Sequence, residues 1–250
     1  MRNLDALETL QMAVTIAHME LGRQLGQDGY ANYFLLVLRR AGRQPSEDPV
    51  QPLETRRDWL ALEFLQADLS EIEQSIACLH NVPIYLRRFP YRSLNVSPAD
   101  YMQYHLENWL SEVYLLRERF DMTRKHIKRR FCCHGESADI ASAADTAFAV
   151  LDSAVEDIRV TRGLHVHQRR FVDREVLMVK LAEQIAASQQ VLGGSFVPGP
   201  ESDPRRVRRA KAREVSGTNA LLDVIIDEAL AILAEALVNE QSELRLPAPH

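Results

Sequence analysis

The sequence predicts an all-α, up-and-down helical bundle. Three observations carry that expectation. Long stretches place apolar residues at helical spacing. The 10 glycines and 11 prolines are few and gather between those stretches. No segment alternates apolar and polar residues between hairpin turn signals. Long helices with fairly short connectors argue for antiparallel neighbours in a bundle. The whole chain, 1–250, is expected to form a single helical domain, with 1–45 as an N-terminal helical extension and 53–240 as the core.

Taken in order, residues 3–24 carry Leu7, Leu10, Met12, Val14, Ile16, Ala17 and Met19 at mostly helical spacing. Gly26, Asp28 and Gly29 interrupt, and residues 30–41 form a shorter helix. Gly42 to Pro52 is polar with three prolines, which marks a loop. Residues 53–80 resume helix, with Trp59, Leu60, Leu62, Phe64, Leu65, Leu69, Ile72, Ile76 and Leu79 on the buried face. Asn81 to Ser97, which holds Pro83 and Pro90, is expected to be an extended connector.

Ser97 opens the strongest helix. It is a good N-cap, Pro98 takes the first helical position and Asp100 lies in the first turn. The pattern runs to Phe131, about 50 Å at ~1.5 Å per residue. Met102, Leu106, Trp109, Leu110, Val113, Leu116 and Phe120 share one arc. His105 and Glu112 flank that arc and border the core. Cys132 to Glu136 is a turn, and Ser137 to about Arg159 is a helix. Phe171 to Val191 is the next, offering Val172, Val176, Leu177, Val179, Leu181 and Ile185 to the core. After a loop from Gly193, Asp203-Pro204 caps a final helix that runs to about Asn239, and the tail from Ser242 is expected to be loose.

The totals exclude several classes. A hydrophobic fraction of 46% and a charged fraction of 26% are ordinary for a soluble globular protein. The net charge of −5 argues against a whole-surface nucleic-acid binder and confines any RNA contact to local patches. An odd count of three cysteines describes no disulfide scaffold, so a reducing cytoplasm is the expectation. The start opens a helical pattern, not a secretory signal, and no apolar run nears the ~20 residues that cross a bilayer.

Few segments carry chemistry. Gly193-Gly194-Ser195 lacks the lysine and spacing of a phosphate loop. Cys132-Cys133-His134 lacks the gap between cysteines of a structural zinc site. No metal and no cofactor are therefore expected. Arg205, Arg206, Arg208, Arg209, Lys211 and Arg213 crowd the start of the last helix, where cations oppose the positive helix end. A phosphate or an acidic partner would account for that arrangement. The stretch Arg159 to Arg174 packs arginines and histidines between two helical patterns. Arg162 precedes His167 with four residues between, and Arg159 precedes His165 with five. Histidine can move a proton near neutral pH, and arginine can brace a phosphate whose charge grows in a transition state. Together they suffice to cleave RNA without a metal. The plainer alternative is a junction in which His165 and His167 pair with carboxylates such as Asp157 or Asp173.

The helical stretch Tyr101 to Arg119, which holds Tyr104-His105-Leu106-Glu107, followed some forty residues later by Arg162-Gly163-Leu164-His165-Val166-His167, resembles the HEPN superfamily (higher eukaryotes and prokaryotes nucleotide-binding). The likeness extends over residues 53–240 in helix order, with specific residues in those two segments. It implies a HEPN-type bundle with additional N-terminal helices, and a homodimer in which arginine–histidine motifs meet across the interface as a metal-independent endoribonuclease site. Such members act as toxins, in phage defence or in RNA processing, and an antitoxin or other protein partner belongs to that expectation. Carried over, Arg162 and His167 would be catalytic, His165 and Arg159 supporting, and Arg169 and Arg170 RNA-binding. Many active members carry a polar residue after the arginine, where this chain has Gly163. Other members are non-catalytic modules that bind a nucleotide, nucleic acid or protein.

Overall fold

A computed structural model describes residues 4–24, 57–89, 96–132, 138–158, 160, 171–192, 197 and 199–247. Among them the chain forms six α-helices and no strand. They are α1 (Asp5–Gln24), α2 (Arg57–Arg87), α3 (Pro98–Arg130), α4 (Ala138–Ala154), α5 (Arg174–Leu192) and α6 (Pro204–Leu237). The all-helical expectation holds for these residues. The helix expected over 30–41 and the loop after it lie outside the described residues.

The residues group into two compact units. The first contains Glu73–Glu118 and Asp152–Val224, and so the end of α2, most of α3, α5 and the first part of α6. Its core includes Leu79, Val82 and Leu86 of α2, Met102, Leu106, Trp109, Leu110, Val113 and Leu116 of α3, and Val176 and Val179 of α5. Each such side chain contributes about 1.5–3 kcal/mol by leaving water. A polar network is threaded through this core. Trp109 Nε1 donates to Asn219 Oδ1 at 2.8 Å, and Asn219 Nδ2 donates to the Leu79 carbonyl at 2.8 Å. His80 Nε2 lies 2.9 Å from Asp223 Oδ1.

That network explains why the first part of the expected connector, Asn81 to Arg87, is helical despite Pro83. α2 continues to Arg87 with Pro83 inside it. Proline has no N–H, so the carbonyl four residues earlier, Leu79, loses its helical donor. Asn219 supplies that donor from α6.

The second unit contains Asn3–Ile72, Arg119–Leu151 and Ile225–His250. Its core joins Leu10 and Val14 of α1, Trp59, Leu62, Leu65, Leu69 and Ile72 of α2, Phe120 and Ile127 of α3, Leu151 of α4, and Ile226, Leu230 and Leu233 of α6. Asp227 Oδ1 accepts the Ala6 amide at 3.0 Å, satisfying one of the orphan donors at the start of α1. Asp68 accepts from His126 Nδ1 at 2.9 Å, and the Arg130 guanidinium lies over the Phe64 ring.

The caps follow local chemistry. The Asp100 amide donates to Ser97 Oγ at 3.0 Å, as an N-cap serine requires. The helix expected from Phe171 begins at Arg174 instead, because Asp173 Oδ1 accepts the Glu175 and Val176 amides and caps it. α4 closes at Ala154, and after a turn at Val155 residues 156–158 are helical again, so the helix expected to about Arg159 is broken once. The tail expected to be loose from Ser242 is held as far as Arg245. The Glu243 amide donates to Asn239 Oδ1, the Arg245 amide donates to the Leu237 carbonyl at 2.8 Å, and Leu244 is buried. The α5 face differs most from its expected burial. Val176 and Val179 are buried, whereas Val172, Leu177, Leu181 and Ile185 are exposed.

Candidate nucleic-acid interface

α6 begins with Asp203, whose Oδ1 accepts the Arg205 amide at 3.0 Å. Arg205, Arg209 and Arg213 then follow at four-residue steps, with Arg206 beside them, so they share one side of the helix. All four are exposed. Together with Arg87, the last residue of α2, they line a cleft of about 830 Å³ in the first unit. Asp203 is its one acidic lining residue. Arg87, Arg206, Arg209 and Arg213 have no carboxylate partner among the described residues.

The remaining cations of the run lie on the buried side. Lys211 is only 6% exposed and meets three carboxylates: Asp173 at 2.7 Å, Glu214 at 2.9 Å and Glu175 at 3.1 Å. Burial works against its charge, but these hydrogen bonds outweigh it and hold the lysine above its ordinary pKa. Arg208 is also buried and lies over the Phe89 ring, 5.7 Å from its centroid. One basic run therefore does two things. Two cations tie α6 to its neighbours in the first unit, and four line the cleft.

Beyond Phe89 an aromatic cluster surrounds His105. Phe89 meets Tyr101 edge-on at 5.2 Å, and Tyr101 meets His105 edge-on at 4.4 Å. Tyr85 and Tyr104 lie 5.4 and 5.3 Å from the same imidazole. Burial lowers the His105 pKa below the ordinary histidine value. His105 thus borders the core, as its helix position implies.

Guanidinium groups match phosphate geometry in paired, charge-assisted hydrogen bonds. The positive end of α6 adds to the attraction for an anion. Asp203 already occupies the Arg205 amide, so arginine side chains supply the donors of the cleft. Among the described residues the cleft is lined by arginine and aspartate, which can hold and orient a phosphate but include no histidine, serine or cysteine for proton or nucleophile chemistry.

Arg159, Arg162, His165, His167, Arg169 and Arg170 lie outside the described residues. The structure describes the exit from that stretch at Asp173. Asp173, one of the two carboxylates named as possible histidine partners, caps α5 and pairs with Lys211. Among the described residues no group of three or more metal-ligating side chains comes together. Arg87 was not legible as a site residue, because its segment reads as connector in the sequence. The α6 arginines did carry a signal: cations crowded where the helix end repels them.

Comparison with protein-family models, with curated proteins and with solved structures finds no match for this chain. No helix among the described residues is long and apolar enough to cross a membrane.

Proposed function

We propose that this chain is a helical RNA-binding protein that grips phosphates in the arginine cleft. One observation carries the reading: Arg87, Arg206, Arg209 and Arg213 are exposed, line one cleft, and pair with no carboxylate among the described residues. Clustered like charges without counter-ions are unfavourable in the free protein, and a phosphate backbone relieves that cost. The test is fluorescence anisotropy with labelled RNA at low and moderate salt. Wild type binds in a salt-dependent way, and Arg209→Glu with Arg213→Glu abolishes binding while circular dichroism stays unchanged. Equal binding by that variant would sink the proposal.

A second reading keeps the HEPN-like expectation of a homodimeric, metal-independent endoribonuclease, with Arg162 on the scissile phosphate and His167 as general acid or base. What favours it, besides the spacing in the sequence, is the exposed apolar row Leu177, Leu181 and Ile185 on α5, the helix directly after that stretch. Such a row at four-residue steps suits contact with a second copy. Cleavage of RNA in excess EDTA, lost in His167→Ala, supports this reading. Cleavage retained in the variant removes the residue assignment.

A further inference from the structure

We infer that the cleft takes single-stranded nucleic acid, with its phosphates on the α6 arginines and its bases stacked on Tyr85 and Tyr104. This rests on the phosphate-binding reading above and adds the class of strand.

The argument starts from what is exposed. Tyr85 is 46% and Tyr104 59% exposed, unusual for two large aromatic rings placed against the same histidine. Beneath them the cluster is firmly held. The Tyr101 hydroxyl donates to the Tyr85 carbonyl at 3.0 Å and reaches the Arg88 carbonyl at 3.3 Å. Those carbonyls lie at the end of α2, where the Tyr85 carbonyl also accepts the Arg88 amide at 2.9 Å. Tyr101 therefore pins the end of α2 against α3 and gives the exposed rings a fixed base.

The rings and the arginines are joined. Arg87 lines the cleft at the end of the helix that carries Tyr85, two residues on and so on a different side of the helix. On the other side Arg208, between Arg205 and Arg209, covers Phe89, which packs on Tyr101. The buried Arg208 thus ties the helix that carries the cleft arginines to the base of the aromatic cluster.

Phosphate alone would explain the arginines but leave the tyrosines without a partner. In a duplex the base faces are stacked on one another and only their edges reach a protein. A single strand presents base faces that stack on aromatic rings beside a basic groove, in a sequence-tolerant way. An acidic peptide would match the charge but not the paired flat rings.

The experiment uses the full chain and labelled 12-mers: single-stranded RNA, single-stranded DNA and the corresponding duplexes. Either single strand is expected to bind more tightly than its duplex. Tyr85→Ala or Tyr104→Ala weakens single-strand binding by roughly 5- to 100-fold, the range for loss of one stacked base. Tyr85→Phe and Tyr104→Phe, which keep the ring, bind like wild type. The alanine variants keep the salt slope of wild type, whereas Arg209→Ala lowers it. Equal affinity for single strand and duplex, with alanine variants at wild-type level, overturns this inference and leaves phosphate binding standing. Absence of binding to every oligonucleotide overturns both. Displacement of the strand by an equally long poly-glutamate at similar concentration assigns the surface to an acidic protein segment and also overturns the inference.

Discussion

Asn219 donates its side-chain amide to the Leu79 carbonyl, the acceptor that Pro83 leaves without a helical partner. The same asparagine, 2% exposed, accepts from Trp109 Nε1. Its replacement strands two buried polar groups. Asn219→Leu is expected to cost about 2–4 kcal/mol in urea unfolding. In a Pro83→Ala background the alanine amide can serve Leu79 itself, so the cost of Asn219→Leu falls by about 1 kcal/mol. Strictly additive effects would show that Asn219 does not compensate for the proline.

This pair also marks the limit of what the sequence discloses. The seven α3 residues expected on one arc, from Met102 to Phe120, are all buried, because a helical period over many turns reports one face. Ser97 and Asp203 were legible as caps, since capping involves residues two or three apart. Pro83 read as a helix stop because its compensation comes from Asn219, 140 positions from the Leu79 carbonyl that it serves. The same holds for α5. Leu177, Leu181 and Ile185 have the spacing of a core face, yet which side of a helix is covered depends on its neighbours. In the basic run the oddity of cations at a helix start was visible. Its division into buried Lys211 and Arg208 and the exposed cleft arginines was not, because Asp173 and Phe89 come from elsewhere in the chain.

Lys211 ties α6 to the start of α5 with unequal partners. The Asp173 side chain is 16% exposed, whereas those of Glu175 and Glu214 are 54% and 63% exposed. Lys211→Met is expected to cost about 3 kcal/mol, because it leaves a partly buried carboxylate without its cation. Asp173→Ala costs about 2 kcal/mol or more, since the α5 cap is lost as well. Glu214→Gln costs under about 1 kcal/mol, as solvent screens an exposed pair. Chemical denaturation ranks the three. A Glu214→Gln cost equal to that of Asp173→Ala would contradict the ranking by burial.

The cleft arginines oppose stability. No acidic residue lies in the first turn of α6, and Arg205 and Arg206 face its positive end. Replacing Arg206, Arg209 and Arg213 together by glutamine is expected to leave the melting temperature unchanged or raise it at low salt. Any gain shrinks toward zero near ~1 M salt, where screening acts within about 3 Å. A clear loss of stability at low salt would mean that these side chains make structural contacts, and would weaken the case for a ligand.

His18 gives the fold an acid sensitivity. It is 4% exposed, its Nδ1 donates to the Val14 carbonyl at 3.0 Å, and the Trp59 ring meets it edge-on at 5.8 Å. Burial lowers its pKa from 6.5 to about 4, against the smaller opposing effect of the Val14 hydrogen bond. The unfolded chain therefore takes up a proton near pH 6.5 that the folded protein refuses until about pH 4. More protons bind to the unfolded state in that window, so stability rises with pH across it. The contribution is complete above pH 6.5 and is lost as pH falls toward about 4. Its size is roughly 3 kcal/mol at most. Urea unfolding at about pH 7 and about pH 4.5 should show a larger drop for wild type than for His18→Leu, which has no proton to bind at this site. The same drop in both proteins would place the acid sensitivity in other groups.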